Sequence, residues 1–423
     1  MVSVDAQSPQ RAPAAPSCPH PRLVTGDPAF WDATTSFREL RERAPVQQVV
    51  LPGGLVAWLI TGADEARYAL ADVRLAHDQR RLPDPRMGFG GRRYPDDIFA
   101  AEGRHLLNSD GADHQRLRTV LAPLLSRAAA QRWKPFTAAT CAELLDALAS
   151  ADRPDLVADY ARPLAVRITT ALLGVPDGLQ HRLTDLTLAM ISAPDLDDPA
   201  VRSHRTALFG LWARIIGEKR RRPGDDLLTR LTLAHHQGRL SAQELVSVAW
   251  GLFSGGITPT TTLIVAGAAE IIRSPGLRPM LQDETTANRL IGELLRVTSP
   301  FPVATWRFAL EDVALGGTVI PRGAVVLVAL AAANRDPEPF PEPDTVRLNR
   351  PGGQLAFGLG PHYCPGAPLA RMQATTALDA LFGRFPGLSL ATAETALPRQ
   401  GVLVERCYER LPVCTGEPTK ADA

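Results

Sequence analysis

The chain has 423 residues, with 46 Lys+Arg against 45 Asp+Glu, a net charge of +1, 45% hydrophobic and 22% charged residues. That composition suits a globular protein with ample length for a core, in one large domain or two to three ordinary ones. The near-balanced charge excludes the uniformly basic profile of a general nucleic-acid binder. An unbroken apolar run at 324–333 is half of the roughly 20 residues a spanning helix needs, so no membrane association is expected. The five cysteines, Cys18, Cys141, Cys364, Cys407 and Cys414, are widely spread and form no CxxC pair. They read as reduced thiols of a cytoplasmic protein, with no disulfide framework.

In chain order, residues 1–23 are rich in Pro, Ala and Ser without an apolar h-region, which reads as a disordered lead-in. The Gly/Pro/Arg-rich stretch 78–105 reads as an irregular segment suited to a lid. Residues 111–131 place Leu117, Val120, Leu121, Leu124 and Leu125 on one helical face, with a kink expected at Pro123. Further helices are expected at 137–149 and 156–173, the latter closed by Pro176. The polar stretch 217–226 reads as a surface connection whose Arg run is either solvated or a docking patch. Ser241 and Glu244 form a capping-box pattern. It opens an apolar segment to about Arg273, with an interruption expected at 255–259, where two glycines and Pro259 should break the ladder. Another helix is expected at 286–297 and strands only later, at 318–320, 324–328 and 402–405. No repeat is present. The pattern predicts a mainly α fold with a small β portion, with residues 24–416 as one domain and 417–423 as a tail.

The stretch Phe357-Gly-Leu-Gly-Pro-His-Tyr-Cys364-Pro-Gly-Ala367 carries the most chemistry. Three glycines beside one cysteine let the backbone turn and approach a large flat ligand. A helix follows, whose free N–H groups and dipole should stabilise a thiolate over a thiol at Cys364. A thiolate so held is what a haem iron needs as a ligand for cleaving O–O bonds.

This stretch resembles the haem-binding signature of the cytochrome P450 family, Phe-Gly-x-Gly-x-His/Arg-x-Cys-x-Gly, with Phe357, Gly358, Gly360, His362, Cys364 and Gly366 at its defined positions. Glu293 and Arg296 match the family's Glu-x-x-Arg, on one helix face, and by resemblance support the fold. His114 and Arg118 resemble its His-x-x-x-Arg. The resemblance, which covers about residues 105–415, implies a single haem domain of the P450 fold close to the soluble bacterial branch. It makes Cys364 the ligand to the iron of haem b. It gives the propionates to His114, Arg118, Arg307 and His362, with Phe357, Gly358 and Gly366 around the ring. It further implies dioxygen, a small-molecule substrate, and electrons from a ferredoxin and an NAD(P)H-dependent ferredoxin reductase docking near Cys364. A tailoring oxidation in bacterial secondary metabolism is the physiology it suggests.

The sequence departs from the family on the distal helix, which usually reads Ala/Gly-Gly-x-Asp/Glu-Thr. Here Gly255, Gly256, Ile257, Thr258 and Pro259 stand there. Thr258 replaces the acid and cannot supply an ionisable proton near neutral pH. Pro259 replaces the alcohol and donates nothing. Thr260 lies about 100° round the helix, or in line if the register shifts by one. Proton delivery is therefore expected from ordered water or from the substrate. The alternative is a reaction that avoids a full hydroxylation cycle, such as coupling, desaturation or a peroxide-driven path. By analogy the pocket candidates are Met87, Phe89, Tyr94, Phe253, Phe301, Val303, Ala304 and Leu403, which suggest a largely apolar substrate. Two rivals are a haem-free partner protein, opposed by the intact Cys364 loop, and a zinc protein using His362 and Cys364, which lacks a further ligand pair at metal-site spacing.

Overall fold

The computed structural model describes residues 22–23, 34–51, 54–89, 104–191, 199–393, 397, 399–402 and 405–416. Tyr94, Leu403, most of the lead-in and the 417–423 tail lie outside the described residues.

The helices are α1 (Thr34–Arg43), α2 (Ala63–Ala71), α3 (Gly111–Leu121), α4 (Arg127–Arg132), α5 (Lys134–Ala149), α6 (Arg162–Leu173), α7 (Gln180–Ile191) and α8 (Pro199–Arg221). They continue with α9 (Leu227–His236), α10 (Ala242–Arg273), α11 (Glu284–Thr298), α12 (Leu330–Ala333) and α13 (Ala367–Arg384). The one helix expected over 111–131 is two. Pro123 brings no N–H to the ladder, and the chain restarts where the Ser126 hydroxyl accepts from Ala129 N at 3.2 Å. A π-helical turn, Leu156–Ala161, leads into α6. Gly174 rather than Pro176 closes α6: its φ of +72° lets its N–H and that of Val175 cap the Ala171 and Thr170 carbonyls. The connection expected at 217–226 is shorter, because α8 continues to Arg221.

A sheet in the order β1-β2-β3-β8-β5-β4 flanks the helices. Its strands are β1 (Arg22–Leu23), β2 (Val46–Val50), β3 (Val56–Ile60), β4 (Leu75–Ala76), β5 (Arg307–Ala309) and β8 (Val325–Val328), while β6 (Val313–Leu315) and β7 (Thr318–Ile320) form a hairpin. Strand structure therefore begins well before 318. Val46, Val49, Val50 and Val56 favour a pleated backbone, and β2 pairs antiparallel with β3 from Val46↔Ile60 to Val50↔Val56. Arg22–Leu23, inside the expected lead-in, pairs with Val49–Val50. The piece expected at 402–405 belongs to a hairpin of Arg399–Val402 with Glu405–Tyr408.

Helix α10 runs through the core and packs against α6, α11 and α13. It is helical from end to end, so the expected interruption at 255–259 is absent. Pro259 removes only the N–H that would reach Gly255 O, and buried residues on both sides, Phe253, Ile257 and Thr260 to Val265, hold the helix across the lost bond. The capping box forms: Ser241 N donates to Glu244 Oε2 at 2.7 Å and Glu244 N to Ser241 Oγ at 3.1 Å. Arg116 of α3 also donates to Glu244. Helix α10 has the length and hydropathy of a membrane span, yet 67% of its apolar window is buried inside the protein.

Candidate active site

The Cys364 loop lies between α2 and the start of α13. Gly358 and Gly360 have φ of +71° and +74°, and a Cβ on Gly360 would sit 3.1 Å from Leu70 O. Cys364 N donates to Phe357 O at 2.9 Å, closing the loop. The sulfur accepts from the N–H groups of Gly366 and Ala367, and Arg118 adds positive charge. Pro365 offers no donor. Burial nevertheless outweighs these contributions and raises the pKa of the thiol. A metal cation bonded to the sulfur would offset that burial and favour the thiolate.

Above Cys364 lies a cavity of about 280 Å³. Its walls include Gly251, Gly255, Gly256, Pro259 and Thr260 of α10, Thr169 of α6, and Phe301, Val303 and Ala304 after α11. Phe357, Gly358 and Gly366 line it too, as do His114, Arg118, Arg307 and His362. Strand β5 holds Arg307 opposite Val326, and α3 holds His114 and Arg118 one turn apart.

These basic groups form one cluster. The His362 ring packs at a tilt against His77 and His114, with centroids 3.8 and 4.1 Å apart. Asp110 accepts from His77 N at 3.0 Å and Asp78 N at 2.8 Å, and lies 3.5 Å from His362 Nε2. Burial, with the nearby His362 and Arg118 charges, pulls the His114 pKa down to about 4. Burial also lowers His362 against the pull of Asp110. Arg307 is 3% exposed and is brought down to about 10 by burial, although Asp110 opposes this. Its guanidinium donates to Thr305 O at 3.2 Å. His114 Nε2 and His362 Nδ1 are buried without a hydrogen-bond partner. Buried donors and a buried guanidinium call for acceptors, which the two carboxylates of a haem would provide. The donor set fits that group.

Glu293 and Arg296 make a buried bidentate pair, Nε–Oε1 at 2.8 Å and Nη2–Oε2 at 2.9 Å. Arg296 also donates to the Asn334 and Thr345 carbonyls, tying α11 to the segment before the Cys364 loop.

Several expected positions fall elsewhere. Ile257 is 2% exposed and packs in the core. Thr258 does not line the cavity, and its hydroxyl is buried without a partner. Only Pro259 and Thr260 of that quartet reach the wall. Met87, Phe89 and Phe253 are consumed by packing rather than the pocket. Met87 lies beneath Gly323, whose Cβ would come within 2.7 Å of its sulfur. Phe89 meets Trp306 and Phe308 edge-on at 5.1 and 5.0 Å, and Phe253 meets Trp212 at 5.6 Å. Conversely, the structure adds His77, Asp110, Thr169 and His105 to the site. His105 is 5% exposed and lines the cavity; its Nδ1 accepts from Leu107 N, and burial and Arg80 hold its pKa at about 3. Asp110 lies one turn before His114 and was within reach of a helix-periodicity argument. His77 and Thr169 carry no local signal.

A cytochrome P450 family model matches residues 198–404. The chain is 36% identical over 390 residues to 6-deoxyerythronolide B hydroxylase of Saccharopolyspora erythraea, covering 89% of this chain and 95% of the relative. It is 34% identical over 388 residues to mycinamicin IV hydroxylase/epoxidase of Micromonospora griseorubida, covering 89% and 94%. The solved structure of the tirandamycin C-bound P450 monooxygenase TamI superposes with a TM-score of 0.84 at 36% identity, over 94% of this chain and 100% of that one. Among the described residues no group of three or more His, Cys, Asp or Glu could hold a metal ion, which opposes the zinc-protein reading, and the intact Cys364 loop opposes the haem-free partner reading. The chain belongs to the cytochrome P450 family, and it is a haem-thiolate oxidoreductase that uses dioxygen.

Proposed function

We propose that this enzyme carries out a tailoring oxidation of a largely apolar, polyketide-like small molecule in bacterial secondary metabolism, as its relatives' names suggest. The observation that carries this reading is the single cavity that joins a buried Cys364, a cationic edge and an apolar wall of Leu172, Leu252, Phe301 and Val303. The bound haem supplies an iron that activates dioxygen under the electron push of a thiolate. Cys364 is the iron ligand, with the Gly366 and Ala367 N–H groups steadying its sulfur. His114, Arg118, Arg307 and His362 fix the propionate edge, while Phe357, Gly358 and Gly366 form the floor. Among the described residues that line the cavity Cys364 is the only cysteine, which favours haem b without a covalent link.

Residues 24–416 act as one haem domain in the cytoplasm, and electrons come from a ferredoxin and an NAD(P)H-dependent reductase. The apolar walls exclude water from the substrate. Pro259 on the distal wall, with Thr258 turned out of the cavity, leaves the site without an acid–alcohol pair. Protons then come from ordered water or from the substrate. The same observation favours a second reading, an oxidation without oxygen insertion such as coupling or desaturation.

Titrating candidate polyketides into the ferric enzyme and following the Soret shift identifies the substrate. Product per NADH is then compared between wild type and Thr258→Asp/Pro259→Thr. The proposal expects little gain from the double variant; a large gain in coupling rejects an intrinsic route that dispenses with the pair.

A further inference from the structure

We propose that the Thr169 hydroxyl on α6 and the Gly255 carbonyl on α10 together hold a water molecule on the distal side of the cavity, and that Thr169 provides from a neighbouring helix the alcohol that α10 lacks at position 259. The inference rests on the haem-thiolate reading above.

Pro259 has no N–H, so the carbonyl four residues earlier, that of Gly255, loses its usual helical donor. Gly255 itself faces open space: a Cβ built there meets nothing within 4 Å. One residue on, a Cβ on Gly256 would lie 2.8 Å from Thr169 Oγ1 and 3.1 Å from Thr169 Cγ2. The threonine is thus pressed against α10 at the notch, and only glycine leaves it room. Thr169 is 3% exposed, and it lines the cavity together with Gly255, Gly256 and Pro259.

Its neighbour Thr170 uses its hydroxyl within the helix, donating to Val166 O at 2.8 Å. Thr169 has no such bond among the described residues. A hydroxyl on a residue 3% exposed overall that lines the cavity, beside the helix turn where Gly255 O loses its proline-blocked donor, offers a bound water room and two polar partners. Thr260 is the competing hydroxyl on α10 itself and lines the same wall.

Such a water would pass a proton toward the oxygen site and take the Thr169 Oγ–H proton in its place, and Oγ would be reprotonated by a second cavity water that draws its own proton from bulk solvent. No charge is left on the threonine, and the electrons come from the redox partner already required. Thr169 is a positioning residue: it acts through the water.

The test uses the haem-loaded holoenzyme as wild type, Thr169→Val, Thr169→Ser and Thr260→Val. Hydrogen peroxide released per NADH is measured, together with a crystal structure of the wild type and of Thr169→Val. The proposal expects a water within hydrogen-bond distance of Thr169 Oγ1 and Gly255 O that is missing in Thr169→Val. It also expects a several-fold larger peroxide fraction in Thr169→Val, with Thr169→Ser close to wild type. Unchanged peroxide in Thr169→Val, a notch empty of water in the wild type, or uncoupling confined to Thr260→Val each overturns it. Every sample is first checked for its reduced carbon monoxide band: loss of the thiolate band in the wild type defeats the haem-thiolate reading, whereas an intact band with unaltered coupling defeats only this inference.

Discussion

Replacing Glu293 with glutamine removes one charge at almost constant volume and isolates what the buried pair contributes. The Arg296 side chain is fully buried and Glu293 is 9% exposed, with Nε–Oε1 at 2.8 Å. A second guanidinium, that of Arg350, is 6% exposed and reaches Glu293 Oε2 at 3.0 Å. Arg347 N donates to the same oxygen at 2.9 Å. The variant leaves two buried cations without their carboxylate. Removing one partner of a buried pair costs about 3–5 kcal/mol, against a total stability of about 5–15 kcal/mol. Urea unfolding at neutral pH, followed by far-UV circular dichroism, reads the loss. Glu143→Gln serves as control, because Glu143 and Arg167 pair at 3.0 Å while 71% and 46% exposed, and such pairs give about 0–1 kcal/mol. The dependence on pH has a definite sign. Burial raises the Glu293 pKa, but the hydrogen bonds from Arg296, Arg347 N and Arg350 outweigh it, and the folded value lies below the ordinary 4.5. Its stabilisation is therefore complete above the unfolded value and is lost as pH falls through the folded one, so the gap between wild type and Glu293→Gln narrows in acid. A loss no larger than that of the Glu143 control, or a gap that widens below the unfolded value, refutes the reasoning.

Arg307→Leu removes a buried cation from the propionate end, and haem transfer to apomyoglobin should accelerate several-fold; an unchanged rate excludes Arg307 from haem retention. Pro365→Leu restores a backbone donor beside the sulfur and should make the iron easier to reduce. Spectroelectrochemical titration checks this, and no rise in potential contradicts it.

What could be read in the sequence was what lies close together along it. The Cys364 loop compresses ligand, turn glycines and helix start into a few residues. Ser241 with Glu244 and Glu293 with Arg296 each sit within one helical turn. Features made by tertiary contact were not legible. Thr169 meets Gly256 only because α6 packs on α10, and His77 meets His362 only because β4 and the Cys364 loop converge. The apolar residues Met87, Phe89 and Phe253 could have served a pocket or a core, and hydrophobicity alone does not separate the two. Pro259 on its own predicts a break, but with buried residues on both sides of it the chain stays helical, so tertiary packing overrides local preference.

The most direct test of the central claim is the spectrum of the freshly purified enzyme reduced with dithionite under carbon monoxide. Cys364 bound to iron as a thiolate predicts a Soret maximum near about 450 nm, lost in Cys364→Ser. A colourless protein, or an intact preparation absorbing near about 420 nm instead, contradicts the account.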